Sequence, residues 1–181
     1  LSDEMLEIAR KRAKEAGEAM EFKQGNMLDL SHAGKYDLVT CYSDSICYMA
    51  DEVEVGDVFQ QVYNCLNEGG VFIFDVHSTY QTDTVFPGYS YHENADEFAM
   101  VWDTYADEAP HSVVHELTFF LQDEDGRFTR YDEVHEERTY EIPTYDILLE
   151  QAGFKTVKVY ADFEDQAPIE TSKRWFFVCE K

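Results

Sequence analysis

Two short apolar segments, separated by a helix-length stretch, decide the fold of this chain. The first is Tyr36-Asp-Leu-Val-Thr-Cys-Tyr42, and the second is Leu66-Asn-Glu-Gly-Gly-Val-Phe-Ile-Phe-Asp75. Apolar, β-branched runs of this length are typical of strands buried on both faces of a sheet. Between them, apolar residues recur at helical spacing: Val53, Val58, Phe59, Val62, Tyr63 and Leu66. Strand, helix and strand in this order predict a parallel β-α-β unit with a right-handed crossover.

The segment that follows the helical stretch contains two glycines, Asn67-Glu-Gly-Gly70. Because glycine adopts the left-handed conformation that a helix C-cap needs, we expect this segment to end the helix. Polar and reactive residues stand where the two strands end: Cys41, Tyr42, Asp44, Ser45, Asp75 and His77. In open α/β sheets, ligands bind beyond the carboxyl ends of the strands. The sequence therefore predicts a binding site at this edge of the sheet.

A strong negative charge limits the partners of the protein. The chain has 181 residues, of which 38 are acidic and 14 basic, and its formal net charge is −24. Binding to phosphate backbones relies on Lys and Arg, so this balance predicts no nucleic-acid partner and disfavours anionic membrane surfaces. The charge is typical of solubility by self-repulsion, and an acidic entrance for a cationic substrate is a second interpretation. The length favours one domain with room for an inserted subdomain.

Cysteine usage indicates the compartment. The four cysteines, at positions 41, 47, 65 and 179, form no C-x-x-C pair and have no metal-ligand spacing. This pattern predicts reduced thiols in a cytoplasmic protein. The sequence shows no secretion signal and no apolar run long enough to cross a bilayer.

Flanking segments extend the α/β pattern. Leu1–Gly17 predicts an amphipathic helix, and Met20–Gln24 predicts a short strand that leads into the loop of residues 25–30. Near the other end, Pro143–Ala152 predicts a helix with proline in its first turn. Phe154–Phe163 and Arg174–Cys179 predict two further strands.

The middle of the chain changes from helical to alternating periodicity. Ser112–Gln122 and Phe128–Glu141 predict a long hairpin around Asp125-Gly126, a strong turn signal. A two-residue loop pairs Glu116 with His135, whereas a three-residue loop with a glycine bulge pairs His115 with His135.

An inserted antiparallel sheet follows from this hairpin. Together with the preceding strand segment, Phe98–Tyr105, it predicts about three strands, and the aromatic tract Phe86–His92 before them reads as irregular. Such a sheet has to pack against something, and the carboxyl edge of the parallel sheet is adjacent in sequence. A lid over the site is one interpretation. A dimerisation sheet is the other, because an exposed hairpin edge invites pairing with a second copy.

Two motifs carry a family resemblance: an aspartate at the start of a strand in Tyr36-Asp-Leu-Val39, and the Leu66-Asn-Glu-Gly-Gly70 turn. With the order of all segments, they make nearly the whole chain resemble the class I S-adenosylmethionine-dependent methyltransferases, most of all the YqeM-like bacterial proteins and the amino-sugar N-methyltransferases. The resemblance implies an α/β, Rossmann-like class I methyltransferase sheet with an inserted antiparallel β subdomain. Residues 1–84 and 142–181 would form the core, closed by an antiparallel strand pair, and residues 85–141 the lid.

In that family a first strand with a glycine-rich loop, and a second strand, precede the position of Leu1. The resemblance therefore implies roughly 30 or more residues of β-α-β structure that lie outside this chain. We expect residues 1–181 alone to bind cofactor poorly.

The resemblance also implies S-adenosylmethionine as cofactor. The positions that it assigns to cofactor binding are Leu1, Ser2, Asn26, Met27, Cys41 and Tyr42. Asn26 stands where the family has an acid that holds the adenine amine, and its amide oxygen can still accept that hydrogen bond. The competing interpretation is an ordinary surface turn.

Catalytic candidates are the side chains expected near the methyl group: Asp44, Tyr48, His77 and His135. Asp44 could instead serve only as a helix N-cap. Trp102 and Arg138 are candidates for substrate binding, with packing of the lid as the alternative for Trp102. Histidines among glutamates on strands are typical of solvated cross-strand pairs, so the sequence predicts no metal site.

The resulting hypothesis is methyl transfer to the nitrogen or oxygen of a small-molecule acceptor, by a monomer or a homodimer. The alternative is a catalytically inactive, methyltransferase-like binding or regulatory domain.

Overall fold

The structure is a computed structural model that describes residues 2–181, and within that range every side chain other than those of residues 156 and 157. The first of its two sheets has the strand order β1-β2-β8-β7. Its strands are β1 (Tyr36–Cys41), β2 (Leu66–His77), β7 (Lys155–Ala161) and β8 (Arg174–Glu180). The helices are α1 (Asp3–Ala16), α2 (Glu52–Cys65) and α3 (Ile142–Ala152).

The β-α-β unit is confirmed, because β1 and β2 pair in parallel with Leu38 opposite Val71. Asp51 caps α2 by accepting hydrogen bonds from the backbone N–H groups of Val53 and Glu54 at 2.9 and 3.0 Å. The prediction that glycine ends this helix is wrong. The cap is Leu66 in extended conformation. The two glycines lie inside β2, where Gly69 has a φ of +73° and a Cβ atom on Gly70 would lie 2.9 Å from the Asn67 carbonyl oxygen.

The strand expected at Met20–Gln24 does not form. A strand exists through hydrogen bonds to a neighbour, and in the part of the chain that the structure describes no strand pairs with this segment. The closing strands agree with expectation, since β7 and β8 pair in antiparallel fashion and β8 pairs with β2 in the same sense.

Aromatic stacking fills the core between the first sheet and helices α2 and α3. The rings of Phe74 on β2 and Phe177 on β8 stack at 4.7 Å with a 2° interplanar angle. Phe59 of α2 lies 5.1 Å from the Phe74 ring, and Tyr145 of α3 lies 5.2 Å from the Phe177 ring. Among residues 2–181, no helix is long and apolar enough to cross a membrane.

The second sheet is antiparallel, with the order β3-β4-β5-β6. Its strands are β3 (Ser90–Asn94), β4 (Phe98–Ala106), β5 (Ser112–Gln122) and β6 (Phe128–Arg138). His115 pairs with His135, and Gly126 has a φ of +83°, so the three-residue loop is the one that forms. The expected three strands become four, because part of the aromatic tract forms β3.

Gly153 ends α3 with a φ of +104°, and a Cβ atom there would lie 2.9 Å from the Tyr63 ring. That ring is held by edge contact with Phe154 at 5.2 Å and by the Lys181 ammonium at 4.2 Å. We expect Gly153→Ala to lower the free energy of unfolding by about 2–4 kcal/mol, from backbone strain and overpacking together.

Gly17 provides the matched control. It also ends a helix with positive φ, at +75°, but nothing lies within 4 Å of its Cβ position. Gly17→Ala should therefore cost only the conformational part, about 1–2 kcal/mol. Urea denaturation measures the free energy of unfolding of both variants. Equal losses of stability would show that the Tyr63 ring moves aside at no energetic cost.

Candidate active site

A pocket of about 310 Å³ lies where the carboxyl ends of β1 and β2 meet the antiparallel sheet. It is lined by Asp44, Tyr48, His77, Phe86, Trp102, His115, Leu117, His135, Glu137 and Arg174. The four side chains expected near the methyl group, and Trp102, thus lie around one cavity. Arg138 does not line it, because its guanidinium stacks over the Tyr140 ring at 4.9 Å.

The turn after β1 brings Asp44 to the pocket. Ser43 and Asp44 both have positive φ, at 60° and 50°, which reverses the chain into a single 3₁₀ turn, Ser45–Tyr48. Asp44 occupies the N-cap position of this turn, yet its side chain makes no capping hydrogen bond. The carboxylate is turned to other partners, so it is available to the site.

Arg174 joins the two carboxylates at the strand ends. Its Nη2 lies 2.6 Å from Asp44 Oδ1, and its Nη1 contacts Asp75 Oδ2. Asp75 is 2% exposed, and its other oxygen has no hydrogen-bond partner. Burial opposes the guanidinium charge, but the hydrogen bonds to Asp44 and Asp75 outweigh it and raise the pKa of Arg174.

Glu137 forms the opposite, buried side of the site. Its Oε2 lies 3.3 Å from His77 Nε2 and 3.7 Å from His115 Nε2. Trp102 Nε1 donates to His115 Nδ1 at 3.1 Å, which leaves the His115 proton on Nε2, facing Glu137. Burial acts to raise the pKa of Glu137, but the contacts with the two histidines prevail and hold it well below the ordinary value of 4.5.

The ionised state of Glu137 predicts an acid-dependent loss of stability. Because its folded-state pKa lies below the ordinary 4.5, the stabilisation is fully present above that value and is lost as pH falls through the folded value. Glu137→Gln lacks this contribution, so the difference in unfolding free energy between the two proteins should shrink below pH 4.5. Urea denaturation at stepwise lower pH measures it. A difference that stays constant would contradict the assignment.

A second set of hydrogen-bonded side chains connects the α/β core to the antiparallel sheet. Tyr48 Oη lies 3.3 Å from His135 Nδ1, and His135 Nε2 lies 3.2 Å from Glu133 Oε2. Burial, followed by the charge of Glu137, raises the pKa of Tyr48. The phenol therefore stays protonated and can donate its one proton to His135 or to Glu137.

The positions expected to bind cofactor are partly clustered. Met27 Sδ lies 3.7 Å from Cys41 Sγ, and burial raises the pKa of the Cys41 thiol to about 11, so this sulfur surface is neutral. Asn26 Oδ1 accepts from the Leu28 N–H at 3.1 Å, and Tyr42 is 50% exposed.

The remaining two positions are at the start of the chain. Ser2 caps α1 by accepting from the Met5 N–H at 3.1 Å, and in the described residues no hydrogen bond ties it to the loop of Asn26. Leu1 lies outside the described residues.

Asp44, His77 and Glu137 bring three potential metal-ligand atoms within 4.8 Å of one another. Asp44 Oδ1 is the oxygen that Arg174 holds at 2.6 Å, and a guanidinium there opposes a second cation. We therefore interpret the cluster as a charge network. His111 does not join it, because its Nδ1 pairs with Asp83 Oδ2 at 2.7 Å.

Comparison with known proteins assigns the family. The family model described as "Methyltransferase domain" matches residues 1–70. A protein of Geobacillus sp. (strain WCH70) named "Putative methyltransferase" is 44% identical over 181 residues, which is 100% of this chain and 73% of that protein. YqeM of Bacillus subtilis (strain 168), named in the same way, is 31% identical over 182 residues and is covered over 73% of its length. The chain belongs to the class I S-adenosylmethionine-dependent methyltransferases.

Solved structures agree with this assignment. An S-adenosylmethionine-dependent methyltransferase from Clostridium acetobutylicum ATCC 824 superposes with a TM-score of 0.89 at 27% identity, over 99% of this chain and 72% of that one. The sugar N-methyltransferase KedS8 from Streptoalloteichus sp. ATCC 53650 shares the fold, with a TM-score of 0.75 at 20% identity over 98% of this chain and 68% of that one. The cofactor of the family is S-adenosylmethionine.

Proposed function

We propose that the protein transfers a methyl group from S-adenosylmethionine to the nitrogen of a small amine that binds in the pocket as a cation. The observation that carries this proposal is the charge of the site. Asp44 and Asp75 share the one guanidinium of the site, that of Arg174, whereas the third carboxylate, Glu137, faces His77 and His115. When the histidines are counted as neutral, the three carboxylates and one guanidinium leave the site with two negative charges that no guanidinium or ammonium balances. Buried charge of this kind calls for a positive partner.

The aromatic walls of the pocket suit the same ligand. Phe86 stands edge-on to the rings of His77 and His115, at 5.0 and 4.8 Å. Trp102 and Tyr48 complete the apolar lining. A cation over such rings gains about 0.5–2 kcal/mol, more when it is desolvated. Carboxylates and aromatic faces together favour an ammonium group over a neutral hydroxyl.

The residues at the end of β1 fit the cofactor. Cys41 and Met27 offer a neutral sulfur surface, Tyr42 an exposed ring, and Asn26 an amide whose oxygen keeps a second lone pair. When bound, S-adenosylmethionine would supply a methyl group that its positive sulfur has already activated for attack by the acceptor nitrogen. Glu137 would hold the acceptor, and the antiparallel sheet would exclude water and align the nitrogen. The two surplus negative charges match one ammonium and one sulfonium.

The antiparallel sheet would also select the acceptor. Trp102, His115, Leu117, His135 and Glu137 all come from it, whereas the positions assigned to cofactor lie in the core. Residues 85–141 thus act as a lid in this proposal.

The experiment is an acceptor panel with the full-length protein, in which formation of the demethylated cofactor is measured. Amines are compared with alcohols of matched size, such as ethanolamine with ethylene glycol and glucosamine with glucose. The proposal requires turnover with one or more amines and none with the matching alcohols. Preference for alcohols would overturn it. Cofactor binding by calorimetry without any turnover would favour the inactive binding domain.

A further inference from the structure

We propose that Tyr48, His135 and Glu133 form a relay that carries a proton from the acceptor amine to solvent, with Glu133 as a positioning residue. This inference rests on the proposed function, because an amine that arrives as ammonium must lose a proton before its nitrogen can accept a methyl group.

Strand β6 provides the path. Glu133, His135 and Glu137 are two residues apart, so their side chains share one face of the strand. Their side chains become more exposed along the strand, from 6% for Glu137 to 34% for His135 and 58% for Glu133. One strand face therefore leads from the buried side of the pocket to bulk water.

The hydrogen bonds fix the direction of transfer. A carboxylate can only accept, so the 3.2 Å contact with Glu133 puts the proton of neutral His135 on Nε2. Nδ1 then carries a lone pair that accepts from the Tyr48 hydroxyl at 3.3 Å. The Tyr48 oxygen keeps its own lone pairs for an N–H group in the pocket. Glu133 acts through His135, since it does not line the cavity.

The proton transfer balances. The N–H bond of the ammonium breaks and its proton passes to the Tyr48 oxygen, while the Tyr48 proton passes to His135 Nδ1. The amine keeps the electron pair for attack on the methyl carbon, and Tyr48 is again a neutral phenol. His135 is then an imidazolium opposite Glu133. Because its side chain is 34% exposed, it can release a proton to bulk water.

Several titratable groups surround His135. Tyr48 approaches from the 3₁₀ turn, and His115 lies opposite on β5. Glu133 and Glu137 lie on its own strand. The other titratable groups that line the same pocket are Asp44, His77 and Arg174. Of these, only Glu133 contacts the Nε2 side in the described structure, so its removal changes that side alone.

The first test needs no acceptor. Nitrogen chemical shifts of His135, measured by NMR in the full-length protein, report its tautomer. The Nε2–H form should dominate in the wild type, and Glu133→Gln should mix the two forms, because an amide can both donate and accept. Glu136→Gln is the matched control: the same residue type on the same strand, exposed and on the opposite face. An Nδ1–H form in the wild type, or equal shifts in both variants, would overturn the relay.

The second test uses the best amine of the acceptor panel. Glu133→Gln should lower kcat about tenfold with KM changed less than about twofold, because the relay acts after binding. Glu133→Asp should restore part of kcat, and unfolding midpoints should not change.

Failure of the relay and failure of the proposed function give different experimental results. If the wild type methylates amines and Glu133→Gln behaves like Glu136→Gln, the relay falls and the proposed function stands. If no amine of the panel is methylated, the proposed function falls, and the relay falls with it.

Discussion

Arg174→Met should destabilise the protein by about 3–5 kcal/mol, the cost of removing one partner from a buried ion pair. Asp75, which is 2% exposed, loses its cationic partner and retains the Asp44 backbone N–H at 3.2 Å, and a buried carboxylate without a counter-charge cannot be compensated by hydration. Asp44 loses its 2.6 Å contact at the same time. Methionine retains much of the side-chain length, so the loss reports charge more than packing. Urea denaturation at neutral pH measures the change.

Two further variants isolate the cause. Arg127→Met removes a guanidinium from an exposed pair with Asp125, in which the side chains are 86% and 59% exposed, and should cost less than about 1 kcal/mol. Adding Asp75→Asn to Arg174→Met should recover part of the lost stability, because it removes the stranded charge. An Arg174→Met protein as stable as Arg127→Met would show that Asp75 is solvated in solution.

Glu137→Gln should lower kcat/KM for the best amine by about 10–150-fold, the equivalent of about 1.5–3 kcal/mol for a charge-assisted hydrogen bond. The substitution preserves shape and removes one of the two surplus negative charges of the pocket. The loss should appear mainly in KM if Glu137 holds the ammonium in the ground state. Initial rates across amine concentrations separate the two parameters.

Cofactor affinity is the control for this variant. Binding of S-adenosylmethionine to Glu137→Gln, measured by calorimetry, should stay within about threefold of the wild type, because Asn26, Met27, Cys41 and Tyr42, which are assigned to the cofactor, do not line the pocket that contains Glu137. Glu136→Gln should match the wild type in both measurements. An equal loss of amine turnover in Glu136→Gln would assign the effect to the overall charge of the strand.

The elements that the sequence predicted well are those with an apolar period. α2, β2, α3 and β5 each contain buried residues, and burial is what periodicity reports. β1 forms where it was predicted, but the expectation that it is buried on both faces is wrong: none of its six residues is buried, because it lies at the edge of the four described strands of its sheet. β3 was missed because its five residues are all exposed, so only backbone hydrogen bonds to β4 define it. The segment Met20–Gln24 shows the converse, since its pattern suits a strand but no neighbour pairs with it.

The site was predicted in part, and for a similar reason. Asp44, Tyr48 and His77 follow from the rule that ligands bind beyond the carboxyl ends of parallel strands. Arg174 and Glu137 were missed, because sequence alone does not show that a charged strand residue is buried. One signal was available: Asp75 follows the apolar run Val71–Phe74, and a buried carboxylate requires a cation nearby.

The two ends of the antiparallel insertion are fastened side by side. Thr139, where the chain returns, donates its hydroxyl to the backbone carbonyl oxygen of His77, where the chain leaves, at 2.6 Å. Tyr145 of α3 holds the Thr139 hydroxyl at 3.0 Å. The last core strand before the insertion and the first core helix after it therefore lie side by side, whatever the length of the inserted chain. Such an arrangement makes the insertion an exchangeable cassette: its strands can be replaced while the α/β core keeps its architecture, and under the proposed function a new set of strands would bring a new choice of acceptor.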